Sequence, residues 1–334
     1  MRVGHLRYTL WMGDYSAAED RVQLRQCHEL VTRLSAAPVQ GVSMGNVSVL
    51  RLDRINSLAP GNKLFKLEGI LSDLALCRSP LRGRSDNSRF VHRPESPVRR
   101  TATERAPSFP TPGHDYSRLV SFGGPWSNHL HALAAVGRER GLETVGIVRG
   151  EAGPTDSAAL ADMAAWGMRL VHVTRTEYRR RNDPDYLASL QEQFAPCVIV
   201  PEGGASPAGV RGCTRIAAMI RPLLSPSSKV VLAVGTGTTL AGIAAGLDHG
   251  CEIVGVSALR GARDLDDRVR TALAQTGAAS PASWQILHED HCGGFARVSA
   301  ELKAFILDFE RVHGIPLDPV YTGKMLLAIH RRLR

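Results

Sequence analysis

The sequence lacks any pair of cysteines in CxxC spacing and any apolar run long enough to span a membrane. Its six cysteines (Cys27, Cys77, Cys197, Cys213, Cys251 and Cys292) are scattered over 334 residues. That argues against a zinc knuckle or a disulfide framework, and for reduced thiols in a cytoplasmic protein. The first thirty residues hold no signal-peptide h-region, so neither secretion nor a membrane anchor is expected. No Gly-Lys-Ser/Thr follows a glycine loop and no GxGxxG occurs, which excludes a Walker loop and a dinucleotide turn. His129 and His131 are two apart and face different ways on a helix, and the Glu289-Asp290-His291-Cys292 run has nothing nearby to complete a tetrahedron. No metal site is expected.

Charge of one sign is unevenly spread. The formal net charge is +9, yet between Cys77 and Pro107 eight arginines face only Asp86, Glu95 and Glu104. This Arg/Ser/Pro-rich stretch, about 77–115, has few large apolar residues and no periodicity, so it reads as a disordered basic insertion. The aromatic interleaving of a base-stacking surface is missing from it, and nucleic acid is not the expected partner. The remaining composition, 43% hydrophobic and 22% charged, is that of an ordinary globular chain with room for two domains.

Short β-branched runs recur at 48–53, 118–122, 144–149, 168–173, 197–201, 229–234 and 252–257. Ala/Leu-rich helical segments separate them, at 127–140, 156–166, 206–222 and 238–247 among others. Apolar strands alternating with helices indicate α/β architecture with parallel sheet covered on both faces. Ligands of such sheets sit at the carboxyl ends of strands, so the turns leaving those strands carry the interest.

Four turns stand out. In "LAPGNKLFKLEGIL" a Pro-Gly-Asn turn delivers Lys63 to the first turn of a helix whose Leu64, Leu67, Ile70 and Leu71 share a face. A cation is disfavoured there, because the first amides already carry partial positive charge. "SFGGPWSNHLHALAAVG" runs from a strand through Gly123-Gly124 to Ser127 and Asn128, which serve either as helix caps or as an anion cradle. "KVVLAVGTGTTLAG" places Gly235, Thr236, Gly237, Thr238 and Thr239 between a buried strand and a helix. That is either a phosphate cradle of amides and hydroxyls or a tight strand–helix turn. "PLDPVYTGK" brings Tyr321 and Thr322 to another helix start.

A lysine whose amine is pushed towards neutrality, a phosphate cradle without a nucleotide signature, and donors for a ring together suit one cofactor, pyridoxal 5'-phosphate. On these residues the chain resembles the fold-type II pyridoxal-phosphate enzymes, specifically the 1-aminocyclopropane-1-carboxylate deaminase/D-cysteine desulfhydrase family. The likeness covers roughly 37–76 and 116–334. It implies two open twisted parallel-sheet domains of the tryptophan synthase beta-like kind. The larger is expected from 37–66 and 196–334, the smaller from 67–195, after an N-terminal extension over 1–36. "GNKLFKLEGIL" is similar to the family's GNK-x-x-KLE segment, which implies Asn62 at the cofactor and Lys63, rather than Lys66, as the Schiff-base lysine. The resemblance also implies that Ser127, Asn128 and His129 face the substrate carboxylate, with Asn128 touching the cofactor's phenolic oxygen. It implies that Gly235 to Thr239 hold the phosphate, that Tyr321 manages protons, and that Thr322 meets the pyridine nitrogen.

Two positions bear on the chemistry that the family runs. Its deaminases carry a glutamate after the tyrosine where this chain has Thr322, as in the desulfhydrase branch. A second active-site tyrosine of the family falls on Phe295 here. The basic insertion is unusual for the family, whose members also continue past the last helix into another strand. The resemblance implies a homodimer acting on a small amino acid such as D-cysteine, by β-elimination to a 2-oxo acid and ammonia. The alternatives are the cyclopropane deaminase and a catalytically impaired cofactor-binding relic.

Overall fold

The computed structural model describes residues 29–56, 59, 61–78, 117–151, 153, 157–247 and 250–334. Apart from its first two residues, which end a helix, the basic stretch expected at about 77–115 lies outside them.

Among the described residues four short strands come first after residue 30, β1 (Val31–Arg33), β2 (Pro38–Val39), β3 (Val42–Ser43) and β4 (Ser48–Leu50), and then helix α1 (Asn62–Arg78). A regular alternation follows: β5 (Arg118–Gly123), α2 (Asn128–Arg140), β6 (Glu143–Arg149), α3 (Ala158–Ala165), β7 (Arg169–Val173), α4 (Arg175–Arg179), α5 (Pro184–Gln193) and β8 (Cys197–Val200). It continues as α6 (Pro207–Ile220), β9 (Lys229–Val234), α7 (Thr238–Gly246), β10 (Glu252–Ser257), α8 (Leu265–Ala274), β11 (Ser283–Leu287), α9 (Ala300–His313) and α10 (Thr322–Leu333).

Two parallel sheets result. One has the order β7-β6-β5-β8 and the other β11-β10-β9. The first follows from its sequence: five of the six residues of β5 are buried, as a strand covered on both faces requires. Leu119, Val148 and Val198 pack with Leu130 and Leu133 of α2 and with Leu64, Leu67 and Ile70 of α1. Val120, Phe122, Val145 and Ile147 pack on the other side with Tyr178, Tyr186, Leu190 and Phe194. Around the second sheet, Val234 and Ile253 pack with Leu240, Ile243 and Val269.

One expected strand is different. Of residues 48–53 only 48–50 are extended, and they pair antiparallel with β1 rather than joining a parallel sheet. The Arg51 guanidinium closes on Asp53 at 2.7 and 2.9 Å and residues 52–54 turn into a 3-10 helix, so the local ion pair outweighs strand propensity. The Trp284-containing strand β11 was not among the runs read from the sequence, because exposed and half-buried residues alternate along it without a continuous apolar core.

Helix α1 joins the two halves. Its Leu64, Leu67 and Ile70 belong to the core under the first sheet, whereas Phe65 belongs to the core of the second. The expected face of Leu64, Leu67, Ile70 and Leu71 packs into one core, Phe65 adds a second face, and Lys66 beside it is buried as well. Against α6 the approach is backbone to backbone: a Cβ on Gly69 would lie 2.9 Å from the Gly212 Cα. Only glycine fits such a crossing.

Candidate active site

Three of the four motifs meet at one aromatic ring. The Lys63 ammonium lies 5.7 Å from the Tyr321 ring centre. A Cβ on Gly235 would lie 3.2 Å from the same ring. Phe295 meets it edge-on, with centroids 6.2 Å apart. Lys63, Gly235, Phe295 and Tyr321 are thus brought together, although up to 258 positions (321 − 63) separate them in sequence.

Lys63 enters from the first turn of α1, half-buried, with its ammonium 3.3 Å from Asn62 Oδ1. Its amine is lowered from the ordinary lysine range, above all by desolvation, while Cys213 and Asp318 pull the other way. The cause is burial more than the helix amides. The amide of Asn62 donates to Thr239 Oγ1 at 2.7 Å, which ties the lysine segment to the glycine-threonine loop.

That loop has the features of a phosphate cradle. Gly237 has φ +83°, a conformation that favours glycine, and it starts α7 without any side-chain cap or first-turn acid. Thr238 and Thr239 are buried, and Thr236 Oγ1 lies 3.0 Å from Thr238 Oγ1. Lys66, passed over by the sequence reading as the Schiff-base lysine, donates to Gly203 O at 3.0 Å and to Thr236 Oγ1 at 3.4 Å. Its amine is lowered to about 7, chiefly by burial and then by the charge of Lys63. A buried cation beside uncapped helix amides and threonine hydroxyls is a site for a dianion.

The first sheet supplies further candidate residues. Ser127 caps α2, its Oγ accepting from Leu130 N at 3.2 Å, which leaves the hydroxyl proton free to donate. Asn128 is exposed at the helix start. Ser157, the cap of α3, donates to Pro125 O and holds the loop in place. His129 is 3% exposed, its Nε2 2.9 Å from Ser121 Oγ. Because Ser121 donates its own proton to Val200 O at 2.7 Å, the ring must donate through Nε2. That leaves Nδ1 a buried acceptor without a protein partner. Burial, and then the nearby charges of Lys63 and Lys66, lower His129 to about 3, so the ring is neutral.

Thr322 is exposed and differently engaged. Its hydroxyl donates to Asp318 Oδ2 at 2.8 Å and accepts from the Asp318 amide at 2.9 Å. Asp318 also accepts from the amides of Val320, Tyr321 and Thr322 and so caps α10. A ring nitrogen brought to Thr322 meets one remaining lone pair, unless the hydroxyl leaves the carboxylate. Tyr321 is pushed up to about 12, first by burial and then by Asp318 and Glu202, and holds its proton at neutral pH. Asp290 of the Glu289–Cys292 run is bound at 2.7 Å by Arg332.

Lys66, Ser121, Gly203, Glu202 and Asp318 were not singled out from the sequence. The Pro-Glu-Gly-Gly turn after β8 was a usable signal, being a glycine pair at the carboxyl end of a strand like the others. The Asp-x-x-x-Thr spacing before α10 was another, since it suits a helix cap.

A glycine-threonine loop with the buried Lys66 beside it, the desolvated Lys63 amine, and a tyrosine ring near both loop and Lys63 suit a phosphorylated aldehyde cofactor, and the residues present fit that group. The comparisons agree. The model of the pyridoxal-phosphate dependent enzymes matches residues 105–334. A protein of Thermotoga maritima, provisionally named 1-aminocyclopropane-1-carboxylate deaminase, is 29% identical over 218 residues, 62% of this chain and 70% of that protein. A Pyrococcus abyssi protein of the same provisional name is 24% identical over 222 residues, 63% of this chain and 67% of its own. The crystal structure of a homologue of that deaminase superposes with a TM-score of 0.65 at 19% identity, covering 93% of this chain and 90% of the other. The chain belongs to the pyridoxal-phosphate dependent enzyme family. It is a fold-type II enzyme, as the sequence resemblance implied, and its cofactor is pyridoxal 5'-phosphate.

The state of Lys66 gives a pH dependence. Its folded pKa of about 7 lies below the ordinary 10.5, so between these values the unfolded chain binds more protons. Stability without the cofactor therefore rises with pH through this window, by up to about 1.4 kcal/mol per unit for one proton, and levels off above it. Melting curves of cofactor-free protein from pH 7 to 10 should show this rise, and Lys66→Met should flatten it. Equal slopes for the two proteins would show that Lys66 is not a buried cation.

Proposed function

We propose that the protein is a deaminating lyase that acts on a small amino acid with a leaving group at Cβ, D-cysteine being the simplest. The observation that carries the reading is the Lys63 amine, desolvated, close to the Tyr321 ring and near enough to His129 to lower its pKa. Overall the Cα–H bond and the bond from Cβ to the leaving group break. Water replaces the nitrogen, and a 2-oxo acid and ammonia are released.

Bound pyridoxal 5'-phosphate supplies a carbonyl that condenses with amines and a ring that delocalises the electron pair left at Cα. Around it Lys63 anchors and afterwards takes the Cα proton, which a depressed pKa favours by raising the neutral fraction. Lys66, Thr236, Thr238, Thr239 and the amides from Gly235 to Thr239 hold the phosphate, with Asn62 bracing Thr239. The Ser127 hydroxyl, the Asn128 amide and the positive end of α2 receive the substrate carboxylate. Asn128 also serves the phenolic oxygen. His129 offers Nδ1 as an acceptor and, being neutral, adds no charge. Tyr321 acts as a proton donor, since it keeps its proton until about pH 12. Phe295 contributes a ring edge and no proton. Thr322 stands at the ring nitrogen, with Asp318 behind it.

The provisional name of the two relatives favours a second reading, opening of 1-aminocyclopropane-1-carboxylate. Thr322 separates them. A neutral hydroxyl holds a proton on a ring nitrogen less firmly than a carboxylate, and elimination needs only brief stabilisation of the pair at Cα before the leaving group departs. Pyruvate formed from D-cysteine or β-chloro-D-alanine and 2-oxobutanoate formed from the cyclopropane should be measured side by side. The first should be the faster, and Thr322→Glu should shift the ratio towards the cyclopropane by roughly tenfold, about 1.4 kcal/mol. Faster opening of the cyclopropane by the unaltered protein would overturn the elimination reading.

A further inference from the structure

A cavity of about 360 Å³ is lined by Arg149, Arg175, Tyr178, Arg179 and Arg181. That is large enough for a small polar group with its first waters. None of these five residues is among those assigned to the cofactor above. Its position comes from the sheet. Arg149 ends β6, Arg175 follows β7, and Glu202 follows β8, so the charges stand along the carboxyl edge of one parallel sheet, where ligands of such sheets bind. In register Gly123 faces Val148, which sets Arg149 level with Gly124 on the adjacent strand, about 5 Å away. The contact is direct: a Cβ on Gly124 would lie 3.3 Å from Arg149 Nη2. Gly124 O in turn accepts from Ser127 N at 3.0 Å. The arginine therefore borders the loop that presents Ser127 and Asn128.

The charges in this cavity are not neutralised. Glu202 is the acid beside it and is already engaged, accepting from Arg181 at 2.6 Å and from the Tyr178 hydroxyl at 2.7 Å. Glu177 accepts from Tyr186 at 3.0 Å instead. Arg149, Arg175 and Arg179 have no acidic partner among the described residues. Tyr178 forms the floor, with its ring 5.5 Å from the Arg149 guanidinium and 5.1 Å from that of Arg181. Stacking on a buried ring fixes the plane of a guanidinium and leaves its N–H edge free for a planar or tetrahedral oxyanion. Glu202 also acts on Tyr321 electrostatically, which links the cavity to the Tyr321 side of the cleft.

We infer that this arginine cavity is a second oxyanion subsite, which takes the acidic leaving group of the substrate: a phosphate or sulfate carried at Cβ through oxygen. The inference rests on the elimination reading and extends it to amino acids whose leaving group is itself acidic. For a phosphate ester, the Cβ–O bond breaks with its electron pair going to the departing oxygen. The Cα proton goes to Lys63, and water completes release of ammonia, so the products are a 2-oxo acid, phosphate and ammonium. Guanidinium groups aimed at the departing oxygens stabilise the charge that develops there. Arg149 and its neighbours are in this sense leaving-group receptors, separate from the helix start that holds the α-carboxylate.

The test uses the cofactor-loaded protein, whose phosphate cradle is filled. Inorganic phosphate is titrated calorimetrically at constant ionic strength into the unaltered protein and into Arg149→Gln and Arg175→Gln, both at exposed positions. One site is expected, weakened at least tenfold in each variant. The ratio of kcat/KM for O-phosphoserine to that for β-chloroalanine, each in the configuration turned over, should fall at least tenfold in Arg149→Gln. No phosphate binding, or binding untouched by either substitution, overturns the subsite. Phosphate binding that O-phosphoserine does not displace, with an unchanged ratio, overturns the leaving-group assignment and makes free phosphate the ligand. Failure of the elimination reading is seen separately, as no turnover of any β-substituted amino acid, because the titration requires none.

Discussion

Replacing Lys63 with alanine is expected to abolish covalent attachment of the cofactor and to lower turnover by at least 10²–10⁴-fold, the usual contribution of a positioned proton-transfer group. Two lysines compete for this assignment, and they lie close enough for the charge of Lys63 to disfavour that of Lys66. Lys66 is tied down by Gly203 O and Thr236 Oγ1. The Lys63 amine has only the weaker 3.3 Å contact with Asn62 and faces the Tyr321 ring. The experiment is borohydride reduction of loaded protein, followed by mass mapping of the modified peptide. The adduct should sit on Lys63 and vanish in Lys63→Ala. In Lys66→Ala it should persist, with the cofactor retained about 10- to 100-fold less tightly, as the loss of one charge-assisted bond of about 1.5–3 kcal/mol implies. An adduct that maps to Lys66 would exchange the roles of the two residues.

Substituting Gly212 by leucine is expected to cost the most stability of any change considered, at least about 3–5 kcal/mol out of a typical 5–15. The physical cause is local. The Gly212 Cβ position points into the Phe65 carbonyl and against Gly69, so α1 and α6 cannot both keep their axes with a side chain there. Because α1 carries Lys63 and Lys66, parting the helices moves both amines from the cradle, and cofactor content should fall together with the melting temperature. Gly153→Ala serves as the control, since nothing lies within 4 Å of the position a Cβ would take there. A Gly212→Leu protein that melts like the unaltered one would show that the helices separate without cost.

The α/β class and the positions of the reactive turns were legible because they follow from short-range rules. A run such as Thr144 to Val148 can be buried on both faces only inside a parallel sheet, and Ser127 or Gly237 mark helix starts by their own hydrogen-bonding and backbone preferences. Motif order carried the family and hence the cofactor. What lay beyond the sequence was every effect made by residues distant in the chain. The antiparallel pairing of β4 with β1 depends on a partner strand 17 positions away (48 − 31). Desolvation of Lys63 and Lys66 arises where two cores, built from residues far apart in the chain, flank α1. The tautomer of His129 follows from the hydroxyl of Ser121 being committed to Val200 on the neighbouring strand. The engagement of Thr322 with Asp318, unlike these, is only four residues long, and was missed because a residue type does not say which way a hydroxyl turns. Amino-acid identity determined which groups could react. Packing decided which of them are dry, charged and within reach of one another, because burial and distance, which set both pKa and contact, exist only once the chain has folded.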